Sequence, residues 1–112
     1  MDCVFCKIVS GEIPAKKAYE DEKILAFHDL HPQAPVHILV IPKKHIASLE
    51  DVDTSNSSII GYIFENIPKI ACIAGICNGY RVICNCGEDG RQTINHLHFH
   101  ILGGASLPEN MG

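Results

Sequence analysis

The sequence predicts an α+β domain built on an antiparallel sheet, and three observations predict it. Ile59, Ile60, Ile63, Phe64, Ile67, Ile70, Ala71 and Ala74 recur at helical spacing and mark one long amphipathic helix. Short β-branched or alternating stretches bounded by turn residues lie on both sides of that helix. The order, strands then one helix then strands, lacks the regular alternation of strand and helix that a parallel sheet needs.

Residues 2–9 read as a short helical turn that stops at Ser10-Gly11. Ile13-Pro14 opens an extended connection. Residues 17–20 and 24–29 form two strands joined at Asp21-Glu22. Pro32-Gln33-Ala34-Pro35 is a rigid link, and residues 36–41 are a β-branched strand closed by Pro42. Lys43-Lys44-His45 follow as a loop, and residues 48–53 are polar and turn-like. Thr54 or Ser55 is expected to cap the long helix. Pro68 lacks an N–H and clashes with the carbonyl of Phe64, so a kink is expected there. Asn78-Gly79 is expected to end the helix. Residues 81–85 form the next strand, 87–91 a glycine-bearing loop, and 93–102 the last strand, ended by Gly103-Gly104.

No repeat, linker or low-complexity segment divides the 112 residues, so one domain is expected over 1–112. With 46% hydrophobic and 20% charged residues, the composition is that of a soluble globular protein and not of a disordered chain. The net charge of -4 offers no basic field, so no nucleic-acid partner is expected. The longest apolar stretch, residues 70–77, is too short to cross a bilayer, so no membrane partner is expected either. The first residues have neither a basic nor a long apolar region, which makes the cytoplasm the expected location.

Six cysteines are many for such a chain. Cys72, Cys77, Cys84 and Cys86 are expected to be buried small hydrophobes. Cys3 and Cys6 form a Cys-x-x-Cys that no strand precedes, which does not suit a thioredoxin-type redox motif. Two thiolates need two further ligands to hold structural zinc, and His45 and His96 are the candidates; a free thiol pair is the alternative.

His96, His98 and His100 alternate with Leu97, Phe99 and Ile101. In a strand the three imidazoles share one face, and the apolar residues share the other. His96 and His100 then stand roughly 13 Å apart at the backbone, too far for one metal ion to bind all three. Separate tasks along the row suit the spacing better. A neutral imidazole attacks phosphorus when one nitrogen is free and the other is held as a donor.

His96-Leu97-His98-Phe99-His100-Ile101-Leu102 resembles the motif of the histidine triad family, in which three histidines alternate with apolar residues. Phe5-Cys6-Lys7-Ile8, Glu12-Ile13-Pro14, Ala26-Phe27-His28-Asp29, Pro32-Gln33-Ala34-Pro35, His37, Ile41-Pro42-Lys43-Lys44-His45 and residues 87–93 all fall in family order. The chain resembles the Hint branch, the histidine triad nucleotide-binding proteins. The resemblance implies a five-stranded antiparallel sheet with one long and one short helix, doubled to ten strands in a homodimer. It implies hydrolysis of purine nucleoside 5′-phosphoramidates, with an AMP-like nucleotide as partner. Hydrolysis of dinucleoside polyphosphates, and nucleotide binding by a zinc-bearing protein without catalysis, are the alternatives.

The resemblance also implies roles. His98 is the nucleophile that carries the nucleotidyl intermediate. His100 is a phosphate contact and proton donor, and His37 supports the phosphate site. Asn85, Gln92 and Thr93 fall where the family holds the phosphate or leaving group. Asp29 is assigned to the ribose, beside Phe27, whose ring can cover a base; Val4, Phe5 and Leu30 fall in the base pocket. Many bacterial members hold zinc with the equivalents of Cys3, Cys6, His45 and His96. Arg91 stands where the family often has a small residue, Asn95 where it is usually apolar, aromatic or proline, and no tryptophan follows Gly104.

Overall fold

The computed structural model describes residues 3–110; Asp2, at the start of the first expected helix, and the last two residues lie outside them. The elements run α1 (Val4–Ser10), β1 (Lys17–Glu20), β2 (Ile24–His28), β3 (Val36–Pro42), a 3-10 turn (Leu49–Asp51), α2 (Ser58–Ile73), β4 (Tyr80–Ile83) and β5 (Phe99–Gly103). The five strands form one antiparallel sheet in the order β1-β2-β3-β5-β4. The α+β class, the strand count and the long and short helices agree with the sequence reading.

Both faces of the sheet centre are covered, which is why β2 and β3 are apolar at nearly every position. On one face Ile63, Ile67, Ile70 and Ala71 of α2 pack against Ile24, Ala26, Ile38, Val40, Phe99 and Ile101. On the other, Phe5 and Ile8 of α1 meet Leu25, Phe27, Leu39 and Ile41. His37 belongs to this second face by alternation with Leu39 along β3. The helix α1 is only seven residues long and is fixed at its ends. The Cys3 sulfur accepts the Cys6 N–H at 3.2 Å, and Gly11 closes the helix at φ +88°, a conformation that favours glycine.

Four local expectations change. The cap of α2 is Ser57, with no side-chain bond; Ser55 instead binds the Asp53 carboxylate through its N–H and its hydroxyl, at 2.8 and 2.6 Å. That Asx turn competes with capping. The helix α2 is continuous through Pro68, which is exposed, so the missing N–H falls on its solvent side. It ends at Ile73 rather than at Asn78-Gly79, because Gly75 turns the chain at φ +81° and the Ile76 N–H returns to the Ala71 carbonyl. Cys72 and Cys77 flank that turn, exposed and joined as a disulfide, whereas Cys84 and Cys86 are half-buried free thiols.

The largest change concerns residues 93–98, which stand outside the ladder although a strand was expected over 93–102. The Leu97 N–H donates to the Ile46 carbonyl at 2.7 Å, and Gln92 donates to the carbonyls of Ala47 and Ile94. The segment is therefore held by the loop after β3 rather than by a neighbouring strand. Among the described residues no helix is long and apolar enough to cross a membrane.

Candidate active site and metal centre

Because the histidine segment bends before β5, its three imidazoles do not form a straight row. The rings of His98 and His100 lie 5.0 Å apart, while His96 faces His45 with ring centres at 4.9 Å. Phe5 packs edge-on against His98 at 5.2 Å and also touches His96. The separate tasks expected for the three residues thus become separate places.

Hydrogen bonds fix the proton on each ring. His98 is buried, and its Nδ1–H donates to the His96 carbonyl at 2.7 Å. A neutral His98 therefore keeps a lone pair on Nε2. His37 Nδ1 accepts the Gln33 N–H at 3.0 Å, so its own hydrogen is on Nε2. That Nε2–H donates to His100 Nδ1 at 2.9 Å, which leaves the hydrogen of His100 on Nε2. A backbone amide thus sets two rings in turn, and adjacent histidines end as one acceptor and one donor. Asp29 Oδ2 lies 3.5 Å from His37 Nε2. These three side chains converge closely enough to suggest a second metal site, but the hydrogen on His37 Nε2 occupies the nitrogen that a metal would need.

Burial favours the neutral form of all three rings. It lowers His98 and His37 below the usual imidazole range, against the opposing pull of Asp29. It lowers His100 to about 4, with the neighbouring His98 and His37 adding to the effect.

Beside the histidines lies a cavity of about 250 Å³. It is lined by Val4, Phe5, Phe27, Asp29 and Leu30, all of the expected base- and ribose-side residues. Leu30 is 89% exposed and stands at its open edge. Asp29 is anchored by its N–H to the His37 carbonyl, and its Oδ1 accepts the His31 N–H. Lys16, His28, His31, Ile8 and Ile13 also line the cavity, although the sequence did not single them out. Ile8 was within reach of inference, since it lies four residues from Val4 on one face of α1. Lys16 and His31 carry no motif, while His28 stands in the Ala26-Phe27-His28-Asp29 stretch beside Asp29.

Asn85 and Gln92 shape the loop between β4 and the histidine segment. Asn85 donates to the Gly90 carbonyl at 2.7 Å. Gln92 accepts the Gly87 N–H and donates to Ala47 and Ile94. Its side chain is fully engaged within the protein, so what Gln92 offers a ligand is the position of the loop. Thr93 is exposed on the same segment.

Cys3, Cys6, His45 and His96 assemble as expected. Cys3 Sγ is 3.2 Å and Cys6 Sγ 3.5 Å from His96 Nδ1, Cys6 Sγ is 3.3 Å from His45 Nδ1, and the two Nδ1 atoms are 3.2 Å apart. A tetrahedral ion with bonds of about 2.0–2.3 Å needs donors about 3.3–3.8 Å apart, so the set fits a small tetrahedral cation. His96 Nε2 faces the Pro42 carbonyl at 2.8 Å and donates its hydrogen there, which leaves Nδ1 as the ligand atom. Burial, and then the adjoining Cys3, push the Cys6 thiol up to about 11.

A twin-faced antiparallel sheet with an acceptor–donor histidine pair beside an apolar cavity, next to a Cys–His cluster that could hold a metal, defines a distinctive class of site. The comparisons give the class its family: the chain belongs to the histidine triad family. A family profile described as scavenger mRNA decapping enzyme C-term binding matches residues 2–111. The chain is 48% identical to a HIT-like protein of Synechococcus elongatus over 106 residues, 95% of this chain and 93% of that one. It is similar to the structure of a histidine triad protein from Clostridium difficile, with 54% identity, TM-score 0.94, and 99% and 97% of the two chains covered. A HIT family hydrolase from Legionella pneumophila matches with 45% identity, TM-score 0.94, and 99% and 100% coverage. A zinc-bound histidine triad protein from Mycobacterium smegmatis matches with 33% identity, TM-score 0.80, and 97% and 79% coverage.

Proposed function

We propose that this chain, read as one domain, is a nucleotide-binding hydrolase that cleaves purine nucleoside 5′-phosphoramidates, in which AMP is joined through nitrogen to an amine. The observation that carries this reading is the free Nε2 of His98 beside the Nε2–H of His100. The base enters the cavity that Phe5 and Phe27 line, with Val4 and Leu30 beside it, and Asp29 accepts the ribose hydroxyls. His37, Asn85, Thr93 and the loop fixed by Gln92 surround the phosphate.

His98 Nε2 attacks the α-phosphorus, and the bond from phosphorus to the amine nitrogen breaks. His100 Nε2 passes its proton to the departing nitrogen, which leaves as the amine. Water then attacks the nucleotidyl–His98 phosphorus, and its proton refills His100 Nε2. The bond to His98 breaks and AMP leaves.

Zinc bound at Cys3, Cys6, His45 and His96 serves structure in this scheme and leaves His98 free; the zinc-bound relative supports the choice of metal. A homodimer is part of the proposal. It is supported by β4, which lies at the sheet edge with Val82 exposed.

The test is AMP release from an adenosine 5′-phosphoramidate. The wild type is expected to release AMP, and His98→Ala to lose at least about a thousandfold in rate. Unchanged turnover in His98→Ala removes the mechanism. Nucleotide binding without turnover in the wild type favours a non-catalytic binding protein instead.

A further inference from the structure

Arg91 is the one non-glycine among the described residues with a left-handed backbone, at φ +61°. A glycine would adopt that conformation without strain, and an arginine does so only where its surroundings impose it. The loop does impose it. The Arg91 N–H donates to the Glu88 carbonyl, the Gln92 N–H to Gly87, and Asn85 to the Gly90 carbonyl. Gly90 packs against the Cys86 backbone so closely that a Cβ there would overlap the Cys86 carbonyl.

The loop also begins beside the histidine strand. Ile83 of β4 pairs with His100 of β5, and Asn85 follows Ile83 by two residues. Asn85 holds the carbonyl that immediately precedes Arg91. An arginine side chain extends about 7 Å from such a point, since each residue or bonded unit spans a few ångströms. The chain has two arginines. Arg81 donates to the carbonyls of Pro108 and Asn110, whereas Arg91 is exposed and has no acceptor among the described residues.

We propose that Arg91 selects substrates whose leaving group carries an anionic oxygen acid, a carboxylate or a phosphate. The inference rests on the phosphoramidate reading and adds the class of leaving group to it. A guanidinium forms paired hydrogen bonds to either anion.

The test compares three substrates: AMP joined through nitrogen to an amino acid with a free carboxylate, the matching carboxamide, and a dinucleoside polyphosphate. Wild type is expected to favour the carboxylate over the carboxamide by about tenfold in kcat/KM, and high salt to shrink that ratio. Arg91→Gly is expected to bring the ratio to about 1. It should also raise Tm by about 2–6 °C through relief of the backbone, a gain that accompanies the lost selectivity. A phosphate-bearing partner is indicated if Arg91→Gly lowers kcat/KM most on the polyphosphate. If both phosphoramidates are hydrolysed but the ratio is the same in Arg91→Gly and wild type, the Arg91 inference is wrong while the hydrolase reading stands. If the wild type releases AMP from none of the three, both fall.

Discussion

The backbone carbonyl of His96 accepts the Nδ1–H of His98 at 2.7 Å, while the ring of the same His96 faces Cys3, Cys6 and His45. One residue therefore joins the metal cluster to the ring that keeps a free nitrogen. The segment around it lies outside the ladder, so its position depends on such side bonds.

Metal removal is the first prediction. Chelation, or Cys6→Ser, is expected to lower Tm by at least about 4–8 °C, the shift that 1 kcal/mol gives in a domain near this size. The AMP affinity of the stripped protein should fall as well, because the His96 carbonyl is no longer fixed. Thermal melts and titration calorimetry, run with zinc-loaded and stripped protein of measured metal content, check both. Equal affinity in the two forms counts against the link between the sites.

A second prediction follows from the order of tautomers. His100→Ala is expected to cost about 10²–10⁴ in rate with an alkylamine leaving group, and much less with an aniline whose nitrogen needs little protonation. Gln33→Pro removes the N–H that His37 Nδ1 accepts, and is expected to reproduce part of that pattern with the histidines intact. The comparison of the two leaving groups in each variant is the measurement. A loss in Gln33→Pro that is equal for both leaving groups points to local distortion rather than to proton placement.

The sheet was legible because Val36 to Pro42 and Ile24 to His28 are apolar enough to permit little else, and because α2 carries a clear stripe. The Cys-x-x-Cys pointed to a metal with His45 and His96 as candidate partners, but the full set and the base pocket rested on the family likeness, since Cys3 and His96 are 93 positions apart and no local pattern joins them. What the sequence hid was set by groups without a side-chain signature. The Gln33 N–H, the Pro42 carbonyl and the Ile46 carbonyl decide two tautomers and the bend before β5. Alternation alone made His96 to His100 look like a strand, because periodicity does not report which backbone partners are present. The left-handed turn at Arg91 was invisible for the same reason.

Stability away from the site gives a third prediction. The hydroxyls of Tyr62 and Tyr19 both donate to Asp21, which ties α2 to the turn between β1 and β2. Burial raises the Asp21 carboxyl, but these bonds and the N–H groups of Lys23 and Ile24 outweigh it and hold the group at about 2. The depressed value means that the stabilisation is present above the ordinary value of 3.8 and is lost as pH falls toward 2. Asp21→Asn at pH 7 is expected to cost about 1–3 kcal/mol by chemical denaturation, with little change in AMP affinity. A variant as stable as wild type would show that the two tyrosines find other partners.

The pH dependence of turnover is the fourth. His100 faces His98 and His37, with Asp29 beyond them, and its value near 4 lies below the ordinary 6.5 of a free imidazole. Protonation would place hydrogens on both His37 Nε2 and His100 Nδ1 across a 2.9 Å contact and so break the chain of donors. Because the folded value is the lower one, the neutral arrangement is fully stabilising above about 6.5 and is lost as pH falls from there toward 4. A plot of kcat/KM against pH is therefore expected to stay level through pH 6.5 and to drop only on the approach to about 4–5, whereas Tm begins to fall already below about 6.5. His37→Ala removes one hydrogen-bond partner and one repelling charge from His100, so its acid limb should move upward. An acid limb centred on 6.5 in the wild type, unmoved by His37→Ala, would mean that an exposed imidazole controls the rate and that the buried pair does not.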